Sequence, residues 1–383
     1  MRGFLLILMM CWLPVANGIV VGADQPAQYL PHLKDRRVSL VVNQTSTVDG
    51  KHLVDYLLDN GVTVASVMAP EHGFRGDQGA GEIIRDGIDT KTGVPILSIY
   101  GANKKPSPDM LNDIDILIFD IQDVGTRFYT YISTLHYVME AAAENDVPLM
   151  VLDRPNPNGR FVDGPVRQPG FESFVGVDPI PVLHGMTVGE LALMIKGEGW
   201  INEADRLLLE IVPVQDYERT MPWSVAVAPS PNLPNDTAIR LYPSLCFFEG
   251  TAVSVGRGTP LPFQLYGHDV VALGDMPFTP VSMASAPSPK LQGKEIMATV
   301  LTDSPIAGLD LSLLLESYQA FKANAQPFFT RPAFFDKLAG TDSLREAIMR
   351  GESEAQIRAG WQEELATFRR QRAPYLLYPP DSP

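Results

Sequence analysis

An α/β fold with a parallel sheet, joined to a second, mixed α/β domain, is what this chain of 383 residues predicts. Three observations lead there. Short apolar, β-branched runs alternate with amphipathic stretches through the first half, the pattern of a parallel sheet covered by helices on both faces. Polar clusters follow these runs rather than precede them, which suits a sheet that binds ligands beyond the carboxyl ends of its strands. After the Pro-rich segment 229–234 the composition changes to shorter strand-like runs, then to helical stretches.

The elements follow in order. Val38-Ser39-Leu40-Val41-Val42 predicts a strand and residues 52–59 a helix. Residues 62–69 predict the next strand, 95–100 another, and 115–120 a fourth, followed by a helix over roughly 133–144. Residues 148–153 predict a fifth strand. Thr187 and Glu190 have the spacing of a capping box at the start of a further helix. Past residue 235, residues 247–251 and 253–260 read as strands and turns, 276–289 as loops or edge strands, and 309–322 and 343–370 as helices. The expected division is a signal segment at 1–18, a sheet domain at 19–235, and a mixed domain at 236–383.

Composition narrows the partners. The net charge of -15 repels nucleic acid and anionic membrane surfaces, although a local arginine cluster can still bind a small anion. Arg2, the apolar stretch 4–12, and Ala16 and Gly18 form the pattern of a cleaved secretory signal. The apolar stretch is too short to span a bilayer, so a periplasmic or secreted protein without membrane insertion is expected. Removal of the signal would take Cys11 and leave Cys246 alone, so no intrachain disulfide is expected.

Four polar clusters fall after four strands, on one predicted rim. They are Asn43-Gln44-Thr45, Glu71-His72-Gly73, Asp120-Ile121-Gln122-Asp123-Val124-Gly125-Thr126-Arg127, and Asp153-Arg154-Pro155-Asn156. Glu71 is the leading catalytic candidate. A carboxyl at a strand end can act as a general acid or base where burial raises its pKa above the usual value of about 4.3. Asp120 or Asp123 is expected as a second carboxylate, the other serving the turn. His72, Arg75, Gln122, Arg127, Tyr129, Asp153, Arg154 and His184 are the expected substrate contacts on this rim. Glu249 and Arg257, flanked by glycines, are expected on the opposite wall of a cleft between the domains. Arginine beside aromatic rings suits a polar, ring-shaped ligand with a carboxylate. The chain has no G-x-G-x-x-G after its first strand, no P-loop motif and no nucleophile elbow, so no cofactor is expected. No histidine pair has zinc-helix spacing, and no metal site is expected.

Together, Pro70-Glu71-His72-Gly73-Phe74-Arg75-Gly76, the segment 120–131, Asp153-Arg154-Pro155-Asn156-Pro157, the segment 184–191, and Phe248-Glu249-Gly250-Thr251 with Gly256-Arg257-Gly258-Thr259 resemble the bacterial exo-β-N-acetylmuramidase family. The resemblance covers nearly the whole chain after the signal. It implies a Rossmann-like first domain, a C-terminal domain, and an active site between them. It also implies a glycoside hydrolase that releases N-acetylmuramic acid from the non-reducing ends of peptidoglycan fragments, in cell-wall degradation and recycling. The family's catalytic glutamate falls on Glu71. The lactyl carboxylate of muramic acid would be held by Arg75, Arg127 or Arg257. Two other readings use the same residues: a muropeptide- or sugar-binding protein without catalysis, and a metal-dependent hydrolase or deacetylase using His72, His184 and nearby aspartates.

Overall fold

The computed structural model describes residues 18–71, 73–75 and 85–379. The expected signal up to residue 17, with Cys11, lies outside these described residues, as does His72.

Among the described residues the central sheet has seven strands: β1 (Arg37–Val42), β2 (Thr63–Ala69), β3 (Gly87–Ile88), β4 (Pro95–Ser98), β5 (Ile116–Asp120), β6 (Leu149–Leu152) and β7 (Leu209–Val212). Their spatial order is β7-β6-β5-β1-β2-β4-β3. Every pairing is parallel except that of the short edge strand β3 with β4. The inner strands are continuous apolar runs because both faces of the sheet are covered. Alternation still sorts their side chains. Val38, Leu40 and Val42 of β1, with Ile116 and Ile118 of β5, enter the core that includes Leu53, Val54 and Leu57 of the helix Leu53–Asp59. Val41, Leu117 and Phe119 enter the larger core on the other face, with Ile132, Leu135 and Met139 of the helix Tyr131–Glu144. Each such aliphatic side chain contributes about 1.5–3 kcal/mol when fully buried.

The helix Val188–Gly197 begins at the predicted capping box. Thr187 accepts from the Glu190 N–H, and Glu190 accepts from the Thr187 N–H. The second half carries a three-stranded antiparallel sheet of β8 (Leu265–His268), β9 (Met276–Phe278) and β10 (Ile296–Val300), in the order β8-β10-β9. Helices from Ser312–Ala323 to Gln362–Arg372 follow.

One segment differs from expectation. Residues 247–251 are not a strand. The 3-10 turn Cys246–Gly250 continues directly from the helix Asp236–Leu245 and buries Phe247 and Phe248. Two adjacent aromatics look the same in sequence whether a strand or a tight turn buries them, and here the preceding helix decides. A Cβ at Gly250 would stand 2.6 Å from the Phe335 Cβ, so the turn packs backbone against the helix Pro332–Ala339. Residues 343–370 are helical as expected, divided into three helices, the first stopped by Gly351 at φ 79°.

The last described residues return to the first half. The Tyr378 hydroxyl donates to Asp153 Oδ2 at 2.5 Å, and the Leu377 N–H donates to Glu190 Oε1 at 2.7 Å.

Candidate active site

Glu71 owes its position to the end of β2. The strand stops at Ala69, Pro70 follows, and Gly73 at φ 76° turns the chain back with its N–H on the Pro70 carbonyl at 3.0 Å. Both carboxylate oxygens are then fixed from other elements. Tyr100 donates its hydroxyl to Oε1 at 2.8 Å, and Thr130, beside the helix Tyr131–Glu144, donates to Oε2 at 2.6 Å. Burial, and then the Glu71 charge, push the Tyr100 phenol up, so it stays protonated and donating. Each oxygen keeps a lone pair for a ligand.

Glu71 lines a cavity of about 170 Å³ together with Tyr129, Asn232, Tyr242, Glu249 and Arg257. The first half of the chain supplies one wall and the second half the other. Tyr129 is held by its hydroxyl on the Pro229 carbonyl at 2.7 Å, and its ring meets Tyr131 edge-on. On the facing wall, Arg257 Nε donates to Glu249 Oε1 at 2.8 Å. Gly256 at φ 81° makes that wall possible, because a Cβ there would stand 2.5 Å from the Leu261 carbonyl oxygen. Burial works to raise the Glu249 pKa, but Arg257 and Lys290 outweigh it and hold the carboxyl below its usual range.

Of the residues expected at the site, Glu71, Tyr129, Glu249 and Arg257 come together on this cavity. The other described ones are engaged elsewhere, and His72 lies outside the described residues. Asp120 is fully buried in a two-point ion pair with Arg154, at 2.5 and 2.9 Å. Burial raises Asp120 against the pull of Arg154, and neither residue lines the cavity. Asp123 accepts the Gly125 N–H at 2.6 Å, which is the turn-capping role. Burial pushes its carboxyl up to about 7 against these backbone donors. The second carboxylate on the cavity is therefore Glu249, not Asp120 or Asp123.

Gln122 braces the rim, donating to the Asp123 and Pro155 carbonyls and accepting from Trp223 Nε1 at 3.2 Å. Arg127 is fully buried and donates to the carbonyls of Pro165, Ile180 and Leu338 at 2.6–2.9 Å. It ties two distant segments to the helix Pro332–Ala339 instead of meeting a ligand. Asp153 accepts from Tyr378, Thr187 and the Gly189 N–H, and burial pushes it up to about 6 against these donors. His184 is buried with Nδ1 accepting the Met186 N–H, and burial, then Arg372, push it down to about 3. Arg75 pairs with Asp89 at 2.7 and 3.1 Å, away from the cavity lining. The placements of Asp120, Asp153 and Arg154 share one cause. Charged residues at strand ends are expensive to bury, and partners remote in sequence satisfy them.

Sequence reasoning missed Tyr100, Thr130 and Asn232. Thr130 sits inside a motif already singled out, and its helix-start position was the available signal. Asn232 lies in the Pro-rich segment read as a boundary or crossing loop. Its Nδ2 donates to the Ser285 carbonyl at 2.7 Å, and its buried Oδ1 has no partner among the described residues.

Comparisons with known proteins agree along the chain. The family model for the N-terminal part of exo-β-N-acetylmuramidase NamZ matches residues 38–237, and that for the C-terminal part matches 240–378. The peptidoglycan β-N-acetylmuramidase NamZ of Bacillus subtilis (strain 168) is 38% identical over 373 residues, covering 91% of this chain and 89% of that protein. A DUF1343-family protein from Bacteroides fragilis superposes with a TM-score of 0.86 at 42% identity, covering 95% of this chain and 100% of its own. A second from the same organism gives 0.80 at 29% identity, with coverage of 94% and 99%.

Proposed function

Because this chain belongs to the exo-β-N-acetylmuramidase NamZ family, we propose that Glu71 is the acid that protonates the glycosidic oxygen as a muramic acid residue leaves. The protein is a glycosidase of peptidoglycan fragments that releases N-acetylmuramic acid from non-reducing ends. Breaking a glycosidic bond requires a proton on the departing oxygen and stabilisation of positive charge on the sugar ring. Glu71 supplies the proton to that oxygen. The bond between it and the anomeric carbon breaks with the electron pair staying on the protonated oxygen, and water adds to the carbon, its released proton restoring the Glu71 acid. Glu249, kept ionised by Arg257 and Lys290, is the negative charge on the cavity that opposes the developing ring cation.

Of the three arginines expected to clamp the lactyl carboxylate, Arg75 and Arg127 are consumed by other partners. Arg257 remains on the cavity, bound to Glu249 through Nε. Its terminal nitrogens are the donors for the carboxylate, which separates muramic acid from glucosamine. Tyr129 and Tyr242 line the same cavity. The single observation that carries this reading is a glutamate with both oxygens fixed by hydroxyls, in a cavity walled by both halves of the chain.

The sequence of the first eighteen residues supports export, which places the enzyme in the periplasm or outside the cell, where wall fragments are degraded for recycling. Fractionation of cells expressing the full chain tests that placement: retention in the cytosol with residues 1–18 uncleaved refutes it. For the chemistry, Glu71→Gln is assayed on a chromogenic N-acetylmuramic acid β-glycoside. The expected result is a loss of about 10³-fold or more in kcat with substrate still bound, given the size of acid catalysis added to lost charge. Turnover at the wild-type rate overturns the assignment.

A further inference from the structure

Next to the cavity lies a second opening of about 480 Å³ that shares Glu249 and Arg257 with it and is lined further by Ser254, Ser285, Lys290 and Arg331. Three of these six side chains are cationic and one is anionic, on a chain whose net charge is -15. A local positive field on an acidic surface has a purpose only if something negative is drawn to it.

The three cations are in different states. Lys290 gives its ammonium donors to the carbonyls of Phe248, Thr251 and Val253, at 2.9, 2.7 and 2.9 Å, and so pins the turn that carries Glu249. Arg257 is paired with Glu249. Arg331 forms no side-chain hydrogen bond or ion pair among the described residues. Its guanidinium lies 4.4 Å over the Phe334 ring. Its backbone N–H is fixed on the Gly250 carbonyl at 3.0 Å, so the residue stands at a set place on the same turn. The opening is joined to the catalytic cavity by structure as well as by proximity, since Asn232 on the cavity donates to the Ser285 carbonyl on the groove.

Resting on the glycosidase reading above, we propose that this groove receives the glycan on the leaving-group side of the scissile bond, and that Arg331 binds the lactyl carboxylate of the next muramic acid along the strand. A peptidoglycan strand alternates muramic acid with glucosamine. With one muramic acid in the cavity, the next carboxylate arrives two sugars further on. A free guanidinium stacked on an aromatic ring is a bidentate receptor for that group. The enzyme is therefore built to prefer peptide-free tetrasaccharides over disaccharides, because a peptide-linked lactyl group has lost its charge.

The test uses the full chain carrying Glu71→Gln, so that binding is read without turnover. Calorimetry compares the muramic acid–glucosamine disaccharide with the corresponding tetrasaccharide. The expected advantage of the tetrasaccharide is about tenfold, the size of one good charge-assisted contact. Arg331→Ala reduces that advantage to less than about threefold, Arg331→Lys, which keeps the charge but not the bidentate fork, retains only part of it, and salt at about 0.5 M erodes it. Arg350→Ala, an exposed arginine outside the groove, leaves the ratio as it is. Equal binding of the two glycans, or an unchanged ratio in Arg331→Ala, overturns the proposal. Hydrolysis is measured separately on the protein with Glu71 intact. If neither glycan is cleaved, the glycosidase reading falls while the binding ratio still judges the groove. If both are cleaved with no dependence on length and the ratio is flat, only the groove falls.

Discussion

Thr130 donates its hydroxyl to Glu71 Oε2 at 2.6 Å, joining a residue just before the helix Tyr131–Glu144 to the turn after β2 across 59 positions of sequence. The bond sets the rotamer of the proposed acid, and it is the contact most easily removed without disturbing the fold.

Thr130→Val keeps the side-chain shape and deletes the donor. A hydrogen bond contributes about 0.5–1.5 kcal/mol. The expected loss in kcat/KM is therefore roughly twofold to tenfold, with thermal unfolding little changed. Steady-state kinetics on a muramic acid glycoside decide it, and wild-type kinetics would remove Thr130 from the site.

Arg257→Gln tests discrimination. Its effect is expected to be larger on the muramic acid glycoside than on the matching glucosamine glycoside, by about tenfold or more, since a charged pair to the lactyl group is lost only in the first. A parallel fall on both substrates would mean that the residue acts through Glu249 alone.

Arg154→Ala leaves the buried Asp120 carboxylate without its cation. Breaking a buried pair costs about 3–5 kcal/mol. Urea unfolding should show a loss of that order. A loss below about 1 kcal/mol, the range of exposed pairs, would show that water reaches Asp120.

Asp123 links stability to pH. Its folded-state pKa is about 7, raised by burial above the ordinary value of 3.8, so the folded protein holds this proton more tightly than the unfolded chain. The stabilisation is complete below about pH 4 and disappears as pH rises through about 7. Asp123→Asn removes the group, so the variant should gain on wild type by roughly 2–4 kcal/mol between those limits. Unfolding free energies of both proteins at several pH values give the difference. A constant difference across the range would mean that Asp123 is solvated.

The rim logic of the sheet was legible in sequence because it depends only on local order: apolar run, then polar cluster. Leu117 and Phe119 alternate with Ile116 and Ile118 between two cores, yet all four are apolar, so the run announces a doubly covered strand without help from neighbours. The fate of each charge on the rim was not legible. Arg127, beside three aromatic positions, has the composition of a ligand site. Its acceptors come from Pro165, Ile180 and Leu338, the last 211 residues away. Asp120 and Arg154 likewise read as two candidates and are one pair. Glu249 and Arg257 were legible because glycines flank them in sequence, Gly256 and Gly258 holding the Arg257 loop at positive φ. Asn232 was hidden by its prolines, which signal a turn without revealing that the turn closes a cavity.

The contact of Tyr378 with Asp153 sets an order of events as well as a shape. Asp153 closes β6 at the rim, while its partner follows it by 225 residues in the chain. Arg127 likewise waits for the Leu338 carbonyl. The sheet can assemble as it emerges, but its rim is completed only when these later segments have been made and dock on it. A truncated chain would hold a well-formed scaffold and a slack catalytic face.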